Sequence, residues 1–140
     1  MLSVEKKLFV ETNNGTNRQI RPVTPEQPLR IGDKVIVRLT IRTDREMNYV
    51  FLKDLRAGCF EPADQLSGPE SRDGIWYYRS PKDVSENFFI NRLPEGTFVL
   101  EYPVYVSRSG EYAGGISTIQ CMYAPEFVSH TAGESLRIMP

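Results

Sequence analysis

Period-two alternation recurs along the whole chain, and no stretch carries a long apolar stripe at helical spacing. The clearest case follows Ile31-Gly32-Asp33, where Val35, Val37, Leu39 and Ile41 alternate with Lys34, Arg38, Thr40 and Arg42, Ile36 alone interrupting the polar side. A strand of that pattern buries one face against a second sheet and leaves the other wet. Leu2, Val4, Leu8 and Val10 repeat it, with Lys6 lapsing on the apolar side and Phe9 on the polar side. Phe98, Leu100, Tyr102, Val104 and Val106 repeat it again, and Pro103, which cannot donate to a ladder, predicts an edge position or a bulge. After a turn marked by Gly110, Gly114 and Gly115 comes a last long strand, with Ile119, Cys121 and Tyr123 on one face. A closing strand is expected over 134–138.

The segments between are less periodic. Asn13-Asn14-Gly15-Thr16 predicts a tight hairpin, because Asn-Gly supplies positive φ; Asn14-Gly15-Thr16 is also a glycosylation sequon, but the turn accounts for the same residues. Pro22, Pro25 and Pro28 make an extended connector. Met47 to Leu55 is apolar on both sides in its middle, as expected of a strand covered on both faces or packed on a neighbouring domain. Residues 64–74 read as a polar loop, 75–79 and 88–90 as short aromatic strands, and 80–87 as room for one helical turn at most. Together these predict an all-β chain, an antiparallel β-sandwich of about seven to nine strands. The 140 residues are expected to form one domain, with an N-terminal strand, hairpin and Pro-rich connector over 1–30 and a core over 31–140.

With 17 basic and 18 acidic residues, net charge −1, nothing favours nucleic acid or an anionic membrane as partner. No apolar run approaches the ~20 residues of a membrane helix, and the first residues lack the apolar centre of a signal peptide. The chain is therefore cytosolic or the excised piece of a longer secreted one. Catalytic constellations fail by composition. His130 is the only histidine, and although Cys121 is close in sequence, nothing marks an oxyanion hole, so a solvent-exposed loop histidine is expected. Two cysteines and one histidine fall short of a structural zinc set, and Asp64, Glu70, Asp73 and Asp83 lack calcium-loop spacing. No enzyme activity, metal or cofactor is expected. Trp76-Tyr77-Tyr78 alternates, so at least one face is core; that reading is preferred to a sugar-binding platform, and an exposed Trp76 would revive the platform.

Several runs in order support a family resemblance: Lys53-Asp54-Leu55-Arg56-Ala57-Gly58, Glu61-Pro62, Trp76-Tyr77-Tyr78, Leu93-Pro94-Glu95-Gly96-Thr97-Phe98-Val99-Leu100-Glu101-Tyr102, Ser109-Gly110-Glu111-Tyr112 and Met122-Tyr123-Ala124-Pro125-Glu126. From about Asp33 onward the chain resembles the C-terminal macroglobulin-like domain of bacterial alpha-2-macroglobulins, the counterpart of the receptor-binding domain in animal relatives. The resemblance implies a non-enzymatic part of a periplasmic or outer-surface protease trap, secreted or lipid-anchored. Its partners would be other domains of the parent chain, with proteases as targets of the whole. It also implies a role for the corner Met122, Tyr123, Pro125 and Glu126: the Met-Tyr pair would lie against a thioester in another domain and keep water from it. The alternative is that both side chains close the end of the sandwich.

Cys59-Phe60-Glu61-Pro62 mimics the start of a thioester-forming Cys-x-Glu-Gln motif, but Pro62 stands where the acyl-donating Gln must be, so this chain forms no thioester itself. Because the resemblance implies an oxidising compartment, a Cys59–Cys121 disulfide is favoured over two buried thiols, contributing about 4 kcal/mol through chain entropy. Two rival functions remain: a stand-alone adhesive or carbohydrate-binding module, and a small hydrolase using His130.

Overall fold

The computed structural model describes residues 1–15, 17–63, 67–72 and 74–140. Its regular elements are all strands, in three sheets. One sheet has the order β2 (Asn17–Pro22), β1 (Leu2–Asn14), β4 (Lys34–Thr43), β10 (Gly96–Val106), β6 (Phe60–Pro62). A six-stranded sheet runs β13 (Val128–His130), β12 (Ser117–Cys121), β5 (Met47–Leu55), β9 (Ser85–Leu93), β8 (Ile75–Pro81), β7 (Gly68–Arg72). A small third sheet joins β11 (Gly110–Ala113), β14 (Ser135–Met139) and β3 (Leu29–Arg30), with β14 and β3 parallel. The expected β-sandwich is present, its two large sheets antiparallel throughout. The fourteen described strands exceed seven to nine because β3, β6, β7, β11 and β13 are edge pieces of two to five residues, too short to show a period.

Alternation becomes burial as physics requires. Val35, Val37, Leu39 and Ile41 of β4 and Leu100, Tyr102 and Val104 of β10 meet Val50, Leu52, Phe88, Ile90 and Ile119 of the opposite sheet, all nearly inaccessible to solvent. The two lapses on the outer side of β1 and β4 fall in one cross-strand row: Phe9 stands opposite Ile36, and Ile36 opposite Pro103. The Arg38 guanidinium lies 4.4 Å above the Phe9 ring, so this apolar row is roofed by charge. Pro103 is tolerated because β6 pairs only with Val104–Val106, so no ladder bond calls on the N–H that proline lacks, while the Pro103 carbonyl accepts from Ala63 N–H at 3.4 Å.

Several local expectations change. Residues 68–72 form β7, hairpinned onto β8, where a polar loop was expected; Asp64 and Asp73 lie outside the described residues. Strands β8 and β9 extend to seven and nine residues, beyond the short aromatic strands expected at 75–79 and 88–90, and leave only residues 82–84 between them. Thr16 of the Asn-Gly hairpin lies outside the described residues, but Gly15 takes φ 72° and β1 pairs with β2, as the turn requires. β10 and β12 belong to opposite sheets, and the Gly-rich link between them carries β11, which pairs with β14. Gly115 is obligatory there: a Cβ would lie 1.7 Å from the Leu55 carbonyl oxygen.

The Lys6 lapse has a polar answer inside the sandwich. Its Nζ donates to Asp54 Oδ1 at 2.7 Å, to the Gly115 carbonyl at 3.0 Å and to the Leu55 carbonyl at 3.2 Å. The fully buried Asp54 also accepts from Ser117 Oγ at 2.7 Å and from the Tyr102 hydroxyl. Burial, with the Asp54 carboxylate beside it, pushes the Tyr102 phenol well above its ordinary range. β1 and β10 are thereby tied to β5 and β12 across the core. Next to this network, buried Glu86 accepts from Arg56 Nη1 at 3.0 Å and from Arg79. Sequence reading had missed both clusters.

Candidate functional site

Strand β12 stops at Cys121, and the chain folds back within six residues. Met122 N–H donates to the Tyr49 carbonyl at 2.9 Å, Phe127 N–H to Ala124 at 2.9 Å, and Cys121 N–H to Phe127 at 3.1 Å. Tyr123 was expected to continue the inward face of Ile119 and Cys121; the turn instead carries it out of the strand. Met122 is 55% exposed and Tyr123 79%, and Pro125 and Glu126 are exposed with them. Ala124 and Phe127 pack on the core from this turn, Phe127 under the Arg45 guanidinium at 4.8 Å. The end of the sandwich is closed by those two side chains, and Met122 and Tyr123 project from it.

Tyr123 is braced by Tyr49, edge to face, with ring centroids 4.9 Å apart. Tyr49 takes φ 59°, a left-handed conformation costly for an aromatic residue, on the order of 1–3 kcal/mol. Burial slips phase there: Met47 and Val50 are buried, Asn48 and Tyr49 exposed, and on β9 Leu93 and Ile90 are buried with Arg92 and Asn91 exposed between them. The slip turns the Tyr49 ring outward beside Tyr123. Sequence reading had passed over Tyr49, and a period break inside a doubly apolar strand was its only signal.

The outer face of the six-stranded sheet is aromatic. Trp76 is 71% exposed, and Tyr78 and Phe89 are about half exposed, whereas Tyr77 is buried. The core reading of Trp76-Tyr77-Tyr78 therefore holds for Tyr77 alone, because β8 has a sheet partner on its inner side and, among the described residues, nothing over its outer side. Burial, with the Glu70 carboxylate beside it accepting from its hydroxyl at 3.1 Å, pushes the Tyr77 phenol up to about 12. Phe51 stacks on Phe89 at 4.8 Å. A shallow groove lies beside Trp76, Tyr78, Phe89, Asn91, Arg92 and Pro94.

The expected Cys59–Cys121 disulfide is absent, and both are buried free thiols. Cys121 is level with Val50, whereas Cys59 follows Leu55 at the far end of β5. Five residues of strand separate those levels, roughly 16 Å, against a Cα separation near 6 Å in a disulfide. Cys121 Sγ donates to the Asn48 carbonyl at 3.4 Å, and burial pushes the Cys59 thiol up. His130 is exposed at the end of β13, not in a loop, and stands opposite Thr118, three residues up β12 from Cys121. The two are not brought together.

A sequence profile described as the bacterial alpha-2-macroglobulin MG10 domain matches residues 2–126. The chain belongs to this family. As an MG10 domain it superposes on a tyrosine-to-glycine mutant of Salmonella alpha-2-macroglobulin with a TM-score of 0.75 at 21% identity, covering 99% of this chain and 9% of that one. On trypsin-activated alpha-2-macroglobulin from Escherichia coli the TM-score is 0.74 at 17% identity, covering 99% of this chain and 10% of that one. A curated relative, circularly permutated Ras protein 2 of Dictyostelium discoideum, is 28% identical over 109 residues, 78% of this chain and 3% of its own length. The MG10 domain thus spans about a tenth of these two solved chains and far less of the curated relative.

Proposed function

We propose that this MG10 domain is the non-enzymatic C-terminal element of a larger protease trap of the cell envelope, acting in the periplasm or on the outer surface. In this reading it packs against neighbouring domains and shields a thioester, or the remnant of one, with Met122 and Tyr123. The supporting observation is the outward projection of that pair, braced by Tyr49, from a turn whose own packing is done by Ala124 and Phe127. A thioether and a ring of that exposure, seated over an acylating bond, displace the water that would hydrolyse it, and their lost exposure offsets the cost of presenting them. The trypsin-activated state of the Escherichia coli relative and the tyrosine mutant made in the Salmonella relative are in keeping with protease engagement and a functional tyrosine. Proteases would be targets of the whole molecule, and this domain would supply none of the chemistry.

Substituting Tyr123→Gly in the full-length protein tests the shielding. Thiol release on incubation with methylamine is expected to speed up several-fold, with Phe127→Leu as a packing control that leaves the rate near wild type. Equal rates in Tyr123→Gly and wild type would contradict the shielding role.

A further inference from the structure

The two outer faces of the sandwich differ in chemistry. On the five-stranded sheet, Glu5 pairs with Arg42 and Lys7, Arg38 with Glu101, and Lys34 with Glu11, a lattice suited to water. On the six-stranded sheet a cross-strand row runs Val128, Gln120, Phe51, Phe89, Tyr78, Pro69, so that it touches every strand. Trp76 and Tyr49 flank it on the side of the Tyr123 turn, and Thr118, Lys53, Asn87 and Ser80 bound it on the other.

We propose that this aromatic band, centred on Phe51, Phe89, Tyr78 and Trp76, is the seat of a neighbouring domain of the same polypeptide, docked through an apolar, weakly charged surface. The inference rests on the reading above that the domain belongs to a longer chain, and it extends the contact from the Tyr123 turn across the whole sheet. Six strands at about 4.8 Å spacing and two side-chain rows make a band of roughly 300–350 Å². Counted on both partners, and with the Tyr49–Tyr123 turn added, it reaches the low end of the ~600–1,500 Å² of interdomain contacts. The Salmonella and trypsin-activated Escherichia coli structures supply the argument for the occupant: in them about nine-tenths of the polypeptide lies outside the region this chain covers. A covalently tethered neighbour meets the band at an effective concentration around millimolar, ahead of a second copy or a free ligand. A sugar would need several convergent polar groups; beside Trp76 the groove offers Asn91 and an Arg92 already paired with Glu46.

Hydroxyl-radical footprinting of the full-length gene product, read by mass spectrometry, tests this. Labelling at Trp76, Tyr78 and Phe89 is compared with Tyr105, which is exposed on the opposite sheet, and each is normalised to urea-unfolded protein. The expected result is several-fold protection of the band relative to Tyr105, lost at Trp76 in Phe89→Lys. Labelling of Trp76 at the rate its 71% exposure here implies would overturn the proposal. Protection that grows with protein concentration, or that needs added cellobiose or N-acetylglucosamine oligomers, would overturn it in favour of a second copy or a glycan. A gene product made up of these 140 residues alone would do so as well. Protection that persists in Tyr123→Gly with unaltered thiol release would retire the shielding role and leave the docking face standing.

Discussion

Cys59 and Cys121 sit at opposite ends of β5, and each is held by burial, not by a partner sulfur. Burial hides both thiols from reagents, and it also pushes the Cys59 thiol up so that little thiolate is present there at neutral pH; reaction with maleimide should be slow in the folded chain. Two equivalents should react after unfolding in urea without reductant; a chain that gave no free thiol under those conditions would contradict this arrangement. At this scale the sequence marked some residues by their lapses. Lys6 on an apolar face announced a buried partner without naming Asp54, since no pattern along one strand reveals what a second sheet sets opposite it. Phe9 and Ile36 looked like separate imperfections and are one cross-strand row. Tyr123 was placed on the face of Ile119 and Cys121 but projects from a turn, because the strand ends two residues before it and strand ends leave no trace in period-two alternation.

Strands β1, β5, β10 and β12 are joined by the Lys6, Asp54, Tyr102 and Ser117 network, which couples the two sheets more specifically than apolar packing alone. Substituting Lys6→Met leaves the Asp54 carboxylate buried without its cation. We expect a loss of about 3–5 kcal/mol in urea unfolding, part of it recovered by adding Asp54→Asn. A loss below about 1 kcal/mol, the size of an exposed pair, would mean the network is solvated. The long elements were legible for a simple reason: β4 and β10 each bury one face and wet the other, so burial writes itself as a period. β3, β7, β11 and β13 were not legible, because two to five residues at a sheet edge are too few to write a period and are held by backbone bonds that any side chain permits. β5 was half legible. Its doubly apolar middle pointed to a strand covered on both faces or packed on a neighbouring domain, and among the described residues nothing covers its outer side.

At the scale of the whole molecule, one outer face is a charged lattice and the other an aromatic band that continues into the Tyr49–Tyr123 turn. A surface divided in this way suits a domain with water on one side and protein on the other, and membership of the MG10 family fits that division. The account therefore depends on what the rest of the polypeptide contains. The decisive measurement is the intact mass of the native gene product together with the sequence that precedes Leu2 in it. The account predicts a long precursor carrying further macroglobulin-like domains and a Cys-x-Glu-Gln motif for the Met122 and Tyr123 turn to cover. A native product complete at 140 residues would contradict it and make this chain an independent binding module.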